Sequence, residues 1–312
     1  MYRHLFLLLI ISFISADVFS QIKAKEYYNN NGFKPDLKGP VKSQTLTVMT
    51  PSLYVGTLKM PEQAYILKEK YNENQIRTKE EIFNLEKVLI GKSEILQDRN
   101  GFAVEILYTD IFDNLLNRIT YEYDKDGSWK RVVNYDVYYN PLEIIYYEYT
   151  DTKKISQIRK TDEEGNILER EIFLYDERDN NSERTLYDSL WSVVSTTEYL
   201  YDKNKNMISY RTLSPNGETV EFYEATYVND SIPASSDIEY YKDGKVAMSD
   251  EYVYDPLGNV LKITKTNFMT TPSTKETTEY LYEWDLWGNW TKQIISSDGK
   301  ASVIASREID YY

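Results

Sequence analysis

Tyr254-Asp255-Pro256-Leu257-Gly258-Asn259 is the clearest copy of a motif that recurs along this chain. Its other copies and near-copies are Tyr123-Asp124, Tyr149-Thr150-Asp151, Tyr175-Asp176, Tyr201-Asp202, Tyr227-Val228-Asn229-Asp230 and Trp284-Asp285. The steps between successive tyrosines are 26, 26, 26, 26 and 27 residues, and 30 more lead to Trp284. A fixed period indicates one supersecondary unit copied along the chain.

Each unit contains two turn signals, one after the Tyr-Asp pair and one about halfway to the next pair. The halfway signals include Asp162-Glu163-Glu164-Gly165 and Ser214-Pro215-Asn216-Gly217. A turn roughly every 13 residues leaves strands of about 8 to 10 residues, which is typical of antiparallel hairpins and not of helices.

The Tyr-Asp turn has a physical explanation. Aspartate at its first position can accept a hydrogen bond from a backbone amide further along, and glycine accepts the left-handed conformation that closes a bulged hairpin. Copies without the glycine, such as those at Asp176 and Asp202, are expected to be looser. The residues expected to shape the clearest turns are Asp124, Gly127, Asp255, Gly258, Asp285 and Gly288.

Aromatic residues two positions apart precede these turns, as in Tyr121/Tyr123 and Tyr147/Tyr149. A spacing of two places both rings on one face of a strand. We therefore interpret the repeated tyrosines as a packing ladder in preference to a ligand platform.

These patterns predict an all-β protein: a repetitive antiparallel β-meander of hairpins forming an extended, twisted or spiralling sheet. Residues 97–312 form the repeat array, and residues 41–96 form degenerate or atypical first repeats. Residues 61–95 also allow a partly helical interpretation, and strands are favoured. Whether the sheet stays open or closes on itself is left undecided.

The amino terminus resembles an export signal. Residues 1–20 contain Arg3, an apolar run from Leu5 to Ile14 and a small-residue cleavage site, and residues 21–40 are expected to be a flexible leader. No membrane span is expected after cleavage, because no other stretch is as apolar. The expected location is periplasmic, outer-membrane-associated or extracellular.

Composition narrows the possible chemistry. The chain has no cysteine, and its only histidine is His4, inside the signal. Thiol and imidazole catalysis and histidine- or cysteine-bound zinc are therefore excluded. A formal net charge of −14 disfavours nucleic-acid binding. Acidic turns at Asp124 and Asp202 lack the glutamate that completes a calcium loop, so neither a metal nor a cofactor is expected.

With Tyr254-Asp255-Pro256-Leu257-Gly258-Asn259 and Tyr123-Asp124-Lys125-Asp126-Gly127, the chain resembles the tyrosine-aspartate (YD) repeats of Rhs-type bacterial exported proteins. The resemblance covers residues 97–312 and, more weakly, 64–96. It implies a spiralling sheet of strand-turn-strand units in an envelope or secreted setting. We expect the repeat region only, without a toxin domain.

One local cluster stands out from the repeats: Trp284, Trp287 and Trp290 surround the last Tyr-Asp-type turn. These tryptophans could form an interaction surface, or they could cap the last unit, which lacks a following neighbour.

The function predicted from sequence is a non-catalytic exported scaffold or interaction protein of the cell envelope, with an unknown protein or glycan partner. The alternatives are a carbohydrate-binding surface protein and, with less support, an outer-membrane β-barrel. Charges on both faces of residues 155–160 argue against the latter.

Overall fold

The computed structural model describes residues 37–50, 54–55, 58–59, 63–73, 75–84, 86–228, 232–297 and 299–312. The predicted signal and most of the predicted leader lie outside these ranges, as does the near-copy turn at residues 229–231. The strands are β1 (Val41–Thr50), β2 (Tyr54–Val55), β3 (Leu58–Lys59), β4 (Gln63–Tyr71), β5 (Arg77–Asn84), β6 (Leu89–Gln97), β7 (Ala103–Thr109), β8 (Leu115–Tyr123), β9 (Trp129–Tyr135), β10 (Pro141–Tyr149), β11 (Ile155–Thr161), β12 (Ile167–Tyr175), β13 (Asn181–Asp188), β14 (Val193–Tyr201), β15 (Met207–Leu213), β16 (Thr219–Val228), β17 (Ile232–Lys242), β18 (Lys245–Tyr254), β19 (Val260–Asn267), β20 (Thr274–Trp284), β21 (Trp290–Ser297) and β22 (Lys300–Tyr311).

The prediction of an all-β antiparallel meander is confirmed. From β4 to β22, every strand pairs antiparallel with the next strand in sequence. Residues 61–95, which also allowed a partly helical interpretation, contribute strands and no helix as far as they are described. One of these strands is β5. Within the described ranges, no helix has the length and apolarity that a bilayer span requires.

The prediction of an extended or spiralling sheet is not confirmed, because the sheet closes on itself. The first strand, β1, pairs antiparallel with β22 on one side and with β4 on the other. Leu46, for example, lies opposite Arg307 of β22 and Leu67 of β4. The result is a 20-stranded barrel in which β1 satisfies both edges that an open meander would leave unpaired.

The Tyr-Asp turns are type I turns closed by a bulge. In the turn at Asp124, its carboxylate Oδ1 accepts the amides of Asp126 and Ser128, both at 3.0 Å. The carbonyl of Asp124 accepts the amide of Gly127, whose φ is +86°. The pairing register between β8 and β9 shifts between Glu122 and Tyr123, which marks the bulge.

Turns without glycine have the same geometry. Asp179 and Lys205 occupy the glycine position with φ of 64° and 65°. The carboxylates of Asp176 and Asp202 still accept the same two amides, at 2.8 to 2.9 Å. The first aspartate therefore shapes the turn even where the residue at the glycine position is strained.

The repeated tyrosines connect neighbouring strands through their hydroxyls. The Tyr254 hydroxyl shares a hydrogen bond with the Ser236 hydroxyl. In five other repeats the hydroxyl donates to the backbone carbonyl of the first residue of the preceding strand. The pairs are Tyr123 with Ala103 (2.7 Å), Tyr149 with Trp129 (2.8 Å), Tyr175 with Ile155 (2.8 Å), Tyr227 with Met207 (2.8 Å) and Tyr282 with Val260 (3.0 Å). The rings cover the barrel wall while the hydroxyls satisfy backbone acceptors beside each bulge.

The same face carries the packed core and further ring contacts. Ile95, Ala103 and Ile106 form a buried cluster on β6 and β7. On later strands, the ring of Tyr210 lies 6.1 Å from that of Tyr199 and 5.0 Å from that of Tyr223. The aromatic ladder thus extends across neighbouring strands, where ring pairs add about 0.5–1.5 kcal/mol each.

We expect Tyr175→Phe to lower the free energy of unfolding by about 0.5–1.5 kcal/mol, the usual contribution of one such hydrogen bond. The substitution keeps the ring and removes only the donor to the Ile155 carbonyl. Chemical denaturation followed by tyrosine fluorescence measures the change. Tyr138→Phe is the control, because Tyr138 is 79% exposed at a turn; equal effects of the two substitutions would contradict a structural role for the Tyr175 hydroxyl.

Candidate functional site

The three tryptophans of the last Tyr-Asp-type turn lie on β20, in the following turn and on β21. Trp284 is 36% exposed and Trp287 is 51% exposed, while Trp290 is partly buried. Their turn, residues 285–289, has the hydrogen bonds of the earlier copies: Asp285 Oδ1 accepts the amides of Trp287 and Asn289, both at 2.9 Å.

This turn also contacts the chain segment that leads into β1. The buried Asn289 side chain accepts the amide of Lys38 at 2.6 Å and donates to the Lys38 carbonyl at 2.8 Å. Asn289 donates in addition to the Tyr311 hydroxyl at 2.8 Å, and that hydroxyl donates to Asp285. The last turn thus fastens together the strands that meet where the barrel closes.

The tryptophan rings pack against the same closure. The ring of Trp287 stacks on Tyr311 with centroids 5.6 Å apart, and it lies so close to Gly39 that an added Cβ there would be 2.7 Å from it. The Arg307 guanidinium lies 3.5 Å from the Trp290 ring centroid. The predicted interaction surface is therefore also part of the barrel closure, with the outer parts of Trp284 and Trp287 exposed.

A buried polar cluster supports the other side of β1. Gln44 of β1 donates to Glu69 of β4 and, at 3.0 Å, to the Tyr71 hydroxyl, which itself donates to Glu69 at 2.9 Å. Arg77 forms ion pairs with Glu69 at 2.8 Å and with Glu80 at 2.6 Å. Glu69 and Glu80 lie directly opposite each other on β4 and β5. Two carboxylates thus share one guanidinium beneath the closing strand.

We expect Glu80→Gln to raise the melting temperature at neutral pH. Burial raises the pKa of Glu80, the negative charge of Glu69 raises it further, and Arg77 offsets part of the shift. An acid whose pKa is raised in the folded state destabilises that state once pH exceeds its unfolded value, about 4.3 for glutamate. Thermal melting between acidic and neutral pH measures the gain, which should vanish below that value.

Glu122→Gln is the matched control, because Glu122 is a half-exposed carboxylate that also pairs with an arginine, Arg131. If Glu122→Gln raised the melting temperature by the same amount, the effect would come from the change in overall charge and not from burial of Glu80. Loss of stability in Glu80→Gln at neutral pH would contradict the burial argument.

The other predicted turn residues lie along one end of the barrel. Asp124, Gly127, Asp255 and Gly258 occupy separate turns, and the structure does not gather them into one site with Asp285 and Gly288. Neighbouring turns are connected instead, as where Lys153 forms an ion pair with Asp126. Among the described residues, no group of three or more His, Cys, Asp or Glu is placed to hold a metal ion.

Sequence reasoning missed two parts of this region. The contact of Lys38 and Gly39 with the last turn falls within the predicted leader, and Gly39 in a short Gly-Pro pair carries no distinctive signal. The Glu69, Arg77 and Glu80 cluster comes from a stretch whose alternation is weak. The available signal for that cluster was the run of consecutive charges in each of two neighbouring stretches, residues 68–70 and 79–81.

Solved structures with similar chains include toxin complexes and a porin-like protein. The crystal structure of TcdB2-TccC3-TEV matches with a TM-score of 0.39 and 12% identity, over 80% of this chain and 15% of that chain. The Photorhabdus luminescens Tc holotoxin pore matches with a TM-score of 0.40 and 13% identity, over 79% of this chain and 15% of that chain. A porin-like protein from Bacteroides uniformis matches with a TM-score of 0.38 and 12% identity, over 88% of this chain and 99% of that chain.

These similarities are too low to transfer an activity or a partner to this chain, which spans only 15% of either Tc chain. No known family model matches the chain, and no curated protein sequence does.

Proposed function

We propose that this chain is a non-catalytic, exported β-repeat scaffold of the bacterial cell envelope that presents a rigid surface to a partner. The observation that supports the proposal best is the use of the repeated polar groups in folding. Tyrosine hydroxyls such as that of Tyr175 bind backbone carbonyls, and aspartates such as Asp176 bind turn amides. The repeated groups that could otherwise act as acids, bases or ligands are thus engaged in hydrogen bonds of the barrel wall and its turns.

Closure adds rigidity to this surface. A continuous ring of hydrogen-bonded strands has no free edge, so association through strand addition is suppressed and contacts through exposed side chains are favoured. The signal-like sequence at residues 1–20 and the resemblance to YD repeats support an envelope setting.

Affinity capture from an envelope extract of the producing bacterium tests the proposal. A single protein, identified by mass spectrometry and shown to rebind saturably in pure form, is the expected result. Trp284→Ala probes the exposed part of the tryptophan cluster, and its melting temperature separates lost binding from lost folding. Capture of a specific glycan would instead favour the carbohydrate-binding alternative. Chemical conversion of the captured molecule, or the absence of any saturable partner, would contradict the proposal.

A further inference from the structure

The two ends of the barrel differ in chemistry. Consecutive antiparallel strands place the Tyr-Asp turns at one end and the halfway turns at the other, which we name the Tyr-Asp end and the midway end. Large apolar side chains exposed in the midway turns are Val88, Ile111, Phe112, Val137, Tyr138, Tyr139, Leu190, Trp191, Phe268 and Met269. In the Tyr-Asp turns, the exposed large apolar side chains are Leu257, Leu286 and Trp287. The remaining turns at the Tyr-Asp end carry mainly charged and polar residues.

Three midway turns contribute most of this apolar surface. The turns β7–β8, β9–β10 and β13–β14 expose Phe112 by 75%, Tyr138 by 79% and Leu190 by 82%. Strands lie about 4.8 Å apart, so the three tips extend over roughly 30 Å of the midway end. A polypeptide of about nine extended residues spans that distance.

Two of these turns hold an aromatic residue in the conformation that favours glycine. Tyr139 and Trp191 have φ of 66° and 64°, whereas the neighbouring turns at the same end have Gly165 and Gly217 at the equivalent position. An L-residue there costs about 1–2 kcal/mol. Both rings also lie beside arginines: the Arg170 guanidinium lies 3.6 Å from the Trp191 ring centroid, and the Arg118 guanidinium lies 5.6 Å from that of Tyr139. Seven other non-glycine residues of the described chain share this conformation, so what distinguishes Tyr139 and Trp191 is the half-exposed aromatic ring that each turn carries.

Negative charge surrounds these tips. Hydrogen bonds from Asn114, Asn140 and Asn166 lower the pKa values of Asp110, Asp136 and Asp162, which therefore stay ionised. Glu163 and Glu164 add two carboxylates in the turn between the second and third apolar tips. A surface with apolar tips and fixed negative charge is complementary to an apolar, positively charged partner.

The sign of the charge also distinguishes three candidate binding partners of this surface: a lipid bilayer, a second copy of the chain and a separate polypeptide. An anionic bilayer would meet the carboxylates of the midway end, and a second copy would bring another chain of charge −14. A polypeptide that alternates apolar and basic side chains matches both the spacing and the sign of the charge.

We propose that the midway end binds a basic, apolar polypeptide segment through Phe112, Tyr138 and Leu190, with the flanking carboxylates pairing with its cations. This inference rests on the proposed interaction function and names the surface and the partner chemistry.

A labelled synthetic peptide of about ten alternating leucine and lysine residues is the probe, with fluorescence anisotropy as the measurement. Binding to the whole protein is expected to weaken in about 0.5 M salt, which shortens the Debye length to a few ångströms. The triple variant Phe112→Ser, Tyr138→Ser, Leu190→Ser should lose about tenfold or more in affinity, or at least 1.4 kcal/mol. The double variant Leu257→Ser, Leu286→Ser at the Tyr-Asp end is the control and should bind like the parent.

Glu163→Gln with Glu164→Gln tests the charge argument in folded protein, and it should reduce both the affinity and its dependence on salt. Equal affinity of the triple variant and the parent would overturn the proposal. The proposal would also be overturned if the parent bound phosphatidylcholine or phosphatidylglycerol vesicles and only the triple variant lost that binding, because the surface would then bind lipid. Self-association of the parent that only the triple variant lost would likewise overturn it, because the occupant would then be a second copy.

The two proposals fail separately. If the triple variant still captures the envelope partner, the midway end is not the binding surface and the scaffold function stands. If the parent captures no partner, the scaffold function fails regardless of the peptide result.

Discussion

Proline at Thr45 and proline at Leu46, introduced separately, are each expected to destabilise the protein strongly. In an antiparallel strand, consecutive residues direct their backbone N–H groups to opposite neighbours. Thr45 pairs with Glu308 and Lys68, and Leu46 pairs with Arg307 and Leu67, so β1 has partners on both sides. Proline lacks the N–H, and each variant should lose about 1–3 kcal/mol from one unmade ladder bond and its orphaned acceptor.

An open sheet with β1 at its edge gives a different result. One of the two positions would then face solvent and tolerate proline, because edge strands accept it there. Chemical denaturation of both variants measures the effect, and Leu46→Ala corrects for the lost leucine side chain. Strong destabilisation by only one of the two prolines would contradict pairing of β1 on both sides.

Gly127→Ala is expected to destabilise the protein more than Gly165→Ala does. Both glycines have nearly the same left-handed φ, +86° and +84°, so the backbone strain of an alanine is equal, about 1–2 kcal/mol. They differ in their surroundings: a Cβ at Gly127 would lie 2.8 Å from the Phe102 ring, whereas nothing lies within 4 Å of one at Gly165. Overpacking against Phe102 should add about 1–3 kcal/mol.

The Phe102 ring has little room to move, because its centroid lies 5.0 Å from that of Tyr123. The free energy of unfolding of both single variants measures the difference. In the double variant Gly127→Ala, Phe102→Leu, the extra loss should shrink, and the double-mutant cycle should show coupling between the two sites. Equal losses for the two glycine variants would mean that the turn is not packed against Phe102.

The repeat predicted most of the local structure because its signals are local. Asp255 and Gly258 act within one turn, and the alternation of Tyr121 and Tyr123 fixes one face of one strand, so the sequence alone determines both. The hydroxyl partners of the tyrosines were not predicted. They depend on the register between strands, which places the Tyr175 hydroxyl at the Ile155 carbonyl.

Closure could not be predicted, because it depends on the sum of small twists over 20 strands. The alternation in residues 41–49 predicts a strand, but it does not reveal two partners for that strand. The sequence singled out the tryptophan cluster, and of its two interpretations the cap resembles the packing of Trp287 on Gly39 and Tyr311. Contacts between chain segments some 250 residues apart, such as Lys38 with Asn289, leave no local pattern.

A cross-link at the seam tests the closed barrel most directly. The chain has no cysteine, so Thr47→Cys with Ser306→Cys introduces a single pair of thiols. These positions lie directly opposite each other on β1 and β22, and Thr47→Cys with Lys292→Cys is the control, since Lys292 pairs with the far side of Ser306. Cα atoms more than about 7 Å apart cannot form a disulfide without backbone movement. Under mild oxidation, we expect the Thr47/Ser306 pair to form an intramolecular disulfide and the Thr47/Lys292 pair to form none. Intact mass and non-reducing electrophoresis detect the disulfide. If the Thr47/Ser306 pair stayed reduced in folded monomer, that result would contradict closure.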